Sequence, residues 1–499
     1  MPTAAFTTLG CKVNQYETQR ILDDFEERGF TIAEFTSTAD VYVINTCSVT
    51  VSAERKSRQM VRKIARQNPE AIVVMTGCYG EMTKIKGETV EEASLIVPNA
   101  KKLQTLSEVL TEFPHLTHEL DTQPRSVTDK PFYRRNRATM KVQDGCNVFC
   151  SFCSIPYTRK TMLSRPLDEL LEEARKHVLQ GYRELVITGV LVGAYGQDNF
   201  MPTPGNTMPR LLSLDNPSRE NSMQTDLADV LLALAKVEGI ERVRLSSIEP
   251  TQVTDRLLDA FAQEPKLCRH LHIPLQSGDT GVLAGMNRPY DQAFYLERCA
   301  TAYARIPDLA ITADIMVGFP GEDRAAFEQT LEVVQEVGFA RAHLFRYSPR
   351  PGTPAAERKD QVSEEEKEAR SKELSAACKV TQARFIQRNM GRVFEVMVEG
   401  KEGRKDEEGG EGETGNDTHP QIDSQLTPKM GLLSGYTSNY IRVQFTGGSH
   451  LIRTIVPVHL LEPTSDGAIG EAGGAHFGPL EAPPDAEFIP LATFAATAV

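Results

Sequence analysis

Three cysteines lie close together in the stretch Cys146-Asn147-Val148-Phe149-Cys150-Ser151-Phe152-Cys153. The stretch follows a predicted strand at residues 139–142, so the thiols occupy the loop at the carboxyl end of that strand. Thiolates at this spacing can bind three irons of a four-iron cluster and leave the fourth iron open. The alternatives are a chance group of cysteines or a zinc site, but structural zinc prefers four closed ligands and no fourth ligand is adjacent. Because (β/α) barrels carry their chemistry at the carboxyl ends of the strands, the position favours the iron–sulfur cluster.

Strands and helices alternate after this loop. The predicted strands of this region are 139–142, 184–188, 243–247, 270–275, 310–317 and 340–347. The helical stretches between them are 165–181, 227–237, 254–264, 292–303 and 324–337. About six such units predict a full or partial (β/α) barrel within residues 132–370. Residues 196–224 interrupt the series without any apolar period and are interpreted as an inserted loop.

The first 120 residues predict a second α/β domain. Short apolar strands at 5–9, 41–45, 71–77 and 94–98 alternate with helices, as in a doubly wound parallel sheet. Cys11, Cys47 and Cys78 each follow one of the first three strands. Because parallel strands end along one edge of the sheet, we expect these thiols to converge and to bind a second iron–sulfur cluster with one open iron. The alternative is three unrelated cysteines that serve as small core residues.

The carboxyl-terminal third predicts a helix followed by a small all-β domain. The charged helix at 364–388 is interpreted as a solvated connector. Alternating strands at 393–399, 435–445 and 451–458 predict a small β-barrel within 388–463. Its first hairpin contains the acidic, low-complexity insert 401–429, which is expected to be disordered. Residues 464–499 are rich in Gly, Ala and Pro and are interpreted as a low-complexity tail.

Composition restricts the classes of function. The chain has 499 residues and a formal net charge of −13, with nine cysteines. No apolar stretch approaches the ~20 residues that a membrane helix needs, and the first ten residues do not have the pattern of a signal peptide. These features predict a cytoplasmic protein without a disulfide framework. Two basic runs, at 55–66 and 130–165, can still provide local contacts with nucleic acid, Arg134, Arg135 and Arg137 among them.

The cysteine loop, with an aromatic residue before its last cysteine, resembles the radical S-adenosylmethionine superfamily. Two three-cysteine sets in this order resemble the methylthiotransferases within it. Further matching motifs are LGCKVNQYE at 9–17, NTCSVT at 45–50, KSRQ at 56–59, RLSSIEP at 244–250, HIPLQSG at 272–278, DIMVGFPGE at 314–322 and YSPRPGT at 347–353. The motifs KVNQYE and KSRQ resemble the branch that modifies threonylcarbamoyladenosine in tRNA. Residues 391–463 resemble the TRAM domain of tRNA-modifying enzymes.

The resemblance implies the cofactors and the partners. It implies two 4Fe-4S clusters, on Cys11, Cys47 and Cys78 and on Cys146, Cys150 and Cys153. It also implies that the open iron of the second cluster chelates S-adenosylmethionine and cleaves it to a 5′-deoxyadenosyl radical. Residues expected by analogy to contact that cofactor are Phe152, Gly189, Ser247, Glu249, Gln276 and Gly318. The implied substrate is the tRNA anticodon stem-loop, and the electron and sulfur donors are not identified.

The implied activity is methylthiolation at C2 of N6-threonylcarbamoyladenosine beside the anticodon. The same chemistry on isopentenyladenosine in tRNA, or on a ribosomal-protein aspartate, is an alternative. A non-catalytic iron–sulfur protein that binds RNA and senses redox state is another. In the TRAM-like domain, Tyr436 and Tyr440 are expected to stack on RNA bases, as aromatic residues do in other small barrels.

Overall fold

The computed structural model of the chain describes residues 1–48, 50–118, 136–198, 225–401 and 430–473. Most of the predicted insertion at 196–224, the acidic stretch 402–429 and the tail from residue 474 lie outside the described residues, as do Arg134 and Arg135. No helix in the described residues is long and apolar enough to span a membrane.

The first domain is a parallel sheet with helices on both faces. Its strands are β1 (Thr3–Thr8), β2 (Thr31–Ala33), β3 (Val41–Thr46), β4 (Ile72–Gly77) and β5 (Leu95–Val97), in the spatial order β2-β1-β3-β4-β5. Its helices are α1 (Lys12–Glu27), α2 (Val51–Gln67), α3 (Cys78–Lys86), α4 (Thr105–Glu112) and α5 (His115–His118). Phe6 and Val43 pack on the face covered by α1, whereas Tyr42 and Ile44 pack on the face covered by α2. The predicted doubly wound sheet is therefore confirmed, and its strand order reverses at β1 and β3, where such sheets bind ligands.

The second domain is a partial barrel of six parallel strands. The strands are β6 (Ala138–Asp144), β8 (Glu184–Gly189), β9 (Arg242–Leu245), β10 (His270–His272), β11 (Ala310–Val317) and β12 (Arg341–Arg346), and β7 (Leu163–Ser164) pairs antiparallel with β6. The helices are α6 (Ile155–Thr158), α7 (Leu167–Leu179), α8 (Leu227–Ala235), α9 (Asp255–Gln263), α10 (Thr280–Gly285), α11 (Gln292–Arg305) and α12 (Arg324–Val337). The strands form two sheets, β7-β6-β8-β9 and β10-β11-β12. Two isolated parallel bridges join these sheets, one from Val243 of β9 to Leu267 before β10, and one from Ser247 after β9 to His272 of β10. The predicted partial barrel is confirmed.

The long helix α13 (Glu364–Gln387) is not a solvated connector, so that prediction is wrong. It packs against α12 and β12, and Leu374, Cys378 and Phe385 are buried there. The sequence does not reveal this packing because charged residues, including the buried Lys367 and Arg370, interrupt the apolar stripe.

The last domain is a closed barrel of five strands, β13 (Val393–Lys401), β14 (Met430–Thr437), β15 (Arg442–Gly448), β16 (Ile455–Pro463) and β17 (Gly467–Ala472). The predicted domain end at residue 463 falls before β17, which pairs with both β15 and β16. The small residues that suggested a tail let the strands approach closely, since a Cβ on Gly467 would lie 2.0 Å from the Arg442 carbonyl oxygen.

Candidate active site

The loop after β6 carries three cysteines, here named the barrel triad: Cys146, Cys150 and Cys153. Helix α10 and the turn after it hold this loop in place. The backbone N–H of Ser151 donates to the Met286 carbonyl at 2.9 Å, and the Asn287 side chain donates to the Phe149 carbonyl at 2.9 Å. Phe149 adopts a φ of 52°, which non-glycine residues rarely do. The loop conformation is therefore fixed by its contacts with α10.

Each thiol of the barrel triad has a nearby hydrogen-bond donor. Arg288 Nη1 lies 3.1 Å from Cys150 Sγ, and the backbone N–H of Ile155 lies 3.4 Å from Cys153 Sγ. The backbone N–H of Val148 serves as the donor for the Cys146 thiol. Burial, together with the neighbouring Cys150, raises the pKa of the Cys153 thiol to about 12. A bound metal reverses this effect, because a coordinating thiol is deprotonated outright.

The N-terminal triad consists of Cys11, Cys47 and Cys78, at the carboxyl ends of the neighbouring strands β1, β3 and β4. Gly10 has a φ of 101°, and a Cβ there would lie 2.6 Å from Cys47 Sγ. Cys11 is exposed, whereas Cys47 and Cys78 are buried. Desolvation by the surrounding protein raises the pKa of the Cys11 thiol. The charge of Arg159 opposes that shift, and the charge of Cys78 adds to it. The structure thus brings the three predicted cysteines to one sheet edge.

The two triads lie near the boundary between the two domains, and the region between them is named the cleft. The Asn99 side chain, close to Cys78, donates to the Thr158 carbonyl of the barrel at 3.0 Å. Arg350, after β12, donates to Ser154 Oγ at 2.8 Å. Burial lowers the pKa of the Arg350 guanidinium, and the thiols of Cys153, Cys47 and Cys78 act in the opposite direction. Arg350 is therefore within electrostatic reach of both triads.

A group of mostly buried charges joins the two domains. This interdomain ion network contains Glu17, Lys102, Lys141, Asp144 and Arg159. Glu17 accepts from Lys102 Nζ at 2.7 Å, Lys141 Nζ at 2.8 Å and Arg159 Nη2 at 2.7 Å. Asp144 accepts from Lys141 Nζ at 2.7 Å and from Arg159 Nη1 at 2.8 Å. Three cations face two carboxylates, so the network carries one net positive charge.

The residues expected to contact the cofactor lie at the same carboxyl edge as the barrel triad. Gly189 ends β8, Ser247 follows β9 and Gly318 follows β11. Gln276 has a φ of 62° and bridges to Ile315 of β11. Their contact with the cofactor stays a prediction.

Two other residues expected to contact the cofactor, Glu249 and Phe152, have protein partners in this structure. Glu249 forms an ion pair with Arg288, the residue that contacts Cys150. The ring of Phe152 packs edge-on against Phe319 at a centroid distance of 6.4 Å. These contacts place Glu249 and Phe152 against the cysteine loop, and their role toward the cofactor also stays a prediction.

Tyr436 and Tyr440 do not form a free stacking surface for RNA, so this prediction is wrong for the structure described. The Tyr440 ring stacks on His270 at the amino end of β10, with a centroid distance of 4.4 Å. Tyr436 stacks on Tyr440 at 4.9 Å, and the Arg137 guanidinium lies over its ring. Arg244 donates to the carbonyls of Thr437 and Ser438 at 3.1 Å. These tyrosines fasten the last domain to the amino end of the (β/α) barrel.

The donor chemistry of both triads fits iron–sulfur clusters better than zinc. Across the described ranges, no three His, Cys, Asp or Glu side chains are close enough to hold a single metal ion. In a four-iron cluster each thiolate binds a different iron, so three thiols need not meet at one point. A partial (β/α) barrel with such a triad after its first strand defines a radical S-adenosylmethionine enzyme.

Comparison with known proteins agrees with this class. Residues 140–334 match the radical SAM superfamily, and residues 3–97 match the uncharacterized protein family UPF0004. The chain is 35% identical over 470 residues to the threonylcarbamoyladenosine tRNA methylthiotransferase MtaB of Bacillus subtilis, covering 93% of this chain and 94% of that one. The enzyme of that name from Thermotoga maritima is 33% identical, covering 90% and 92% of the two chains. A tRNA-2-methylthio-N(6)-dimethylallyladenosine synthase from Carboxydothermus hydrogenoformans is 33% identical, covering 79% and 87%.

These relatives identify the chain. It belongs to the radical S-adenosylmethionine methylthiotransferase family, a family of transferases whose chemistry uses a 4Fe-4S cluster and S-adenosylmethionine.

Proposed function

We propose that this enzyme methylthiolates C2 of N6-threonylcarbamoyladenosine next to the anticodon of tRNA. The observation that carries the proposal is the position of two three-cysteine sets at strand ends of two neighbouring domains, which contact each other beside Cys78 through the Asn99 side chain and the Thr158 carbonyl. The choice of substrate is supported by the relatives named for threonylcarbamoyladenosine, which in Bacillus and Thermotoga match 90% or more of both chains.

Each triad would hold one 4Fe-4S cluster, making two per chain. When bound, the barrel cluster and S-adenosylmethionine supply the radical that abstracts hydrogen, and the N-terminal cluster supplies a site for the sulfur to be transferred. The protein orients these groups. The N–H donors at Val148 and Ile155 and the guanidinium of Arg288 stabilise negative charge on the sulfurs of the barrel triad. Arg350, which donates to Ser154 Oγ next to Cys153, adds a further positive charge close to these sulfurs.

The exposed face of α2 is the proposed contact with the tRNA backbone. Six exposed cations share this helix: Arg55, Lys56, Arg58, Arg62, Lys63 and Arg66. The helix begins a few residues after Cys47, so phosphates bound along it would lie next to the cleft. Basic residues of this kind neutralise phosphates without reading sequence. The target base must leave its stack to reach the cleft, as in other base-modifying enzymes. A tRNA substrate also supports the cytoplasmic location expected from sequence.

Modification of dimethylallyladenosine is the second candidate, because a synthase of that class is 33% identical to this chain. Nucleoside mass spectrometry of total tRNA separates the two. A strain that lacks the gene should lose the 2-methylthio derivative of threonylcarbamoyladenosine and keep that of dimethylallyladenosine. The parent gene should restore the missing nucleoside, whereas a gene that encodes Cys146→Ala should not. Loss of the dimethylallyl derivative instead would contradict the proposal.

A further inference from the structure

The lumen of the partial (β/α) barrel is lined by polar side chains near its open side, at β11 and β12. On β11, Ile311, Ala313 and Ile315 face the apolar core, so Thr312 and Asp314 face the lumen. By the same alternation, the lumen side of the edge strand β12 carries Arg341, His343 and Phe345, all exposed. Closed (β/α) barrels fill this space with branched apolar residues. A lumen with ionisable and polar groups is therefore suited to a polar ligand rather than to packing.

Four lumen side chains form one chain of polar contacts. Thr312 Oγ1 lies 2.8 Å from His270 Nε2 and 2.9 Å from His272 Nδ1. The other ring nitrogen of His272, Nε2, lies 3.3 Å from Asp314 Oδ1. The chain runs from the amino end of the barrel, where Tyr440 covers His270, toward the carboxyl edge that carries the cysteines. His272 and Asp314 are thus held in place before any ligand enters.

Two more side chains, His343 and Phe345, line the lumen near its carboxyl end. The His343 ring lies 6.0 Å from that of His272, and the Phe345 side chain is 43% exposed. Exposed aromatic side chains can stack on unpaired bases, and each stacked base typically contributes about 1–3 kcal/mol to the binding free energy. We name His272, Asp314, His343 and Phe345 the lumen wall.

The charge of Lys12, in the first domain, acts on two groups of this wall. Lys12 follows Cys11 at the start of α1 and is exposed. Burial raises the pKa of Asp314, but the hydrogen bond from His272 and the charges of His272, His343 and Lys12 hold it below the ordinary value. Burial lowers the pKa of His343, the charge of Asp314 opposes that shift, and the charges of His272, Arg341 and Lys12 add to it. The ammonium group therefore lies within electrostatic reach of the lumen, next to the N-terminal triad.

We propose that the lumen wall receives the flipped nucleoside, with Phe345 stacking on its base, and that Lys12 binds the carboxylate of the threonylcarbamoyl group. This inference rests on the proposed function and adds the residues that select the substrate. The threonylcarbamoyl group carries a carboxylate, a hydroxyl and amide N–H groups, which Lys12, Asp314 and His343 can pair. A dimethylallyl group is a hydrocarbon, so it offers these polar groups no hydrogen bond in exchange for the water that binding removes, and a binding site penalises this strongly.

The test compares the binding of four anticodon stem-loop RNAs that differ only at the target base. They carry threonylcarbamoyladenosine, its methyl ester, dimethylallyladenosine or plain adenosine. Fluorescence anisotropy with the iron-loaded enzyme should give the parent about a 10-fold preference or more for the free carboxylate over the ester, as expected for one charge-assisted contact. Lys12→Gln should abolish that preference, and Lys12→Arg should retain it.

Two controls separate this effect from a general loss of structure or of RNA binding. Lys56→Gln, on the exposed face of α2, should weaken the binding of all four RNAs equally. Phe345→Ala should also weaken the binding of all four RNAs but keep the preference for the carboxylate. This variant therefore tests the lumen wall even if Lys12→Gln fails to load iron. Retention of the parent's preference by folded, iron-loaded Lys12→Gln overturns the role of Lys12, and unchanged binding by Phe345→Ala overturns the stacking role. If the parent itself neither prefers nor converts the threonylcarbamoyl RNA, the proposed function fails together with the inference.

Discussion

Arg159 of the barrel domain donates to both carboxylate oxygens of Glu17 on α1, at 2.9 and 2.7 Å. The two residues are 142 positions apart in the chain and both are buried. Their ion pair, shared with Lys102 and Lys141, fixes the first domain against the barrel.

Removing the Glu17 carboxylate should destabilise the protein strongly. Glu17→Gln leaves three buried cations with only Asp144 to balance them, and breaking such a pair costs about 3–5 kcal/mol. Chemical denaturation measures the change in the free energy of unfolding. Glu328→Gln, in an exposed pair with Arg324, is the matched control and should cost about 0–1 kcal/mol. Equal effects of the two substitutions would show that the network does not hold the domains together.

The contribution of Glu17 should depend on pH. Burial opposes its ionisation, but Lys102, Arg159 and Lys141 hold its pKa well below the ordinary value. The folded state therefore binds the proton more weakly than the unfolded state, whose glutamate titrates near 4.3. The stabilisation is present in full above that pH and is lost as the pH falls through the folded pKa. The difference in unfolding free energy between parent and Glu17→Gln should be constant from pH 6 to 8 and shrink below about pH 4.3. A difference that grows on acidification would contradict the assignment.

Binding of tRNA should depend on the exposed face of α2. Arg62→Glu with Lys63→Glu should weaken binding and reduce the slope of log affinity against log salt by about two, one for each phosphate that the helix no longer neutralises. The same reversal at Arg175 and Lys176, exposed on α7, changes the net charge equally and should have little effect. Titrations at several salt concentrations measure both slopes. Equal weakening in the two double variants would assign the effect to overall charge and not to α2.

The cysteine positions and the parallel sheets could be predicted from sequence because they depend on local features. A buried apolar run predicts a strand, and a cysteine after it must lie at the sheet edge. Cys11, Cys47 and Cys78 are therefore expected together, and the structure brings them together. The partners of charged residues could not be predicted, because they depend on how the domains pack. Glu17 lies within a matched motif that gives no sign of its contacts with Lys141 and Arg159 of the barrel domain.

The same limit explains the error at Tyr436 and Tyr440. An aromatic residue on a small barrel can stack on a base or on a neighbouring domain, and only the position of that domain decides. The basic residue Arg137 is likewise expected from sequence to serve RNA. It is paired with Glu399 at 2.7 Å in the domain interface, whereas the cations of α2 are exposed.

Iron content should reveal two clusters. After anaerobic reconstitution the parent should bind about eight irons per chain, and the triple variant Cys146→Ala, Cys150→Ala, Cys153→Ala should bind about four. Triple replacement of Cys268, Cys299 and Cys378, which are buried and belong to neither triad, should leave the iron content of the folded protein unchanged. About four irons in the parent would mean that only one triad holds a cluster, and zinc in place of iron would reject both.

The product pattern of Cys47→Ala tests the division of labour between the two triads most directly. The ligands of the barrel triad lie in another domain, so this variant should keep about four irons and, with a strong reductant, still convert S-adenosylmethionine to 5′-deoxyadenosine. It should form no methylthiolated nucleoside on tRNA, whereas Cys146→Ala should form neither product and Cys299→Ala should form both. Circular dichroism and iron counting first establish that each variant is folded. Methylthiolated tRNA from folded Cys47→Ala at a rate near that of the parent would contradict the assignment of the N-terminal triad to sulfur transfer.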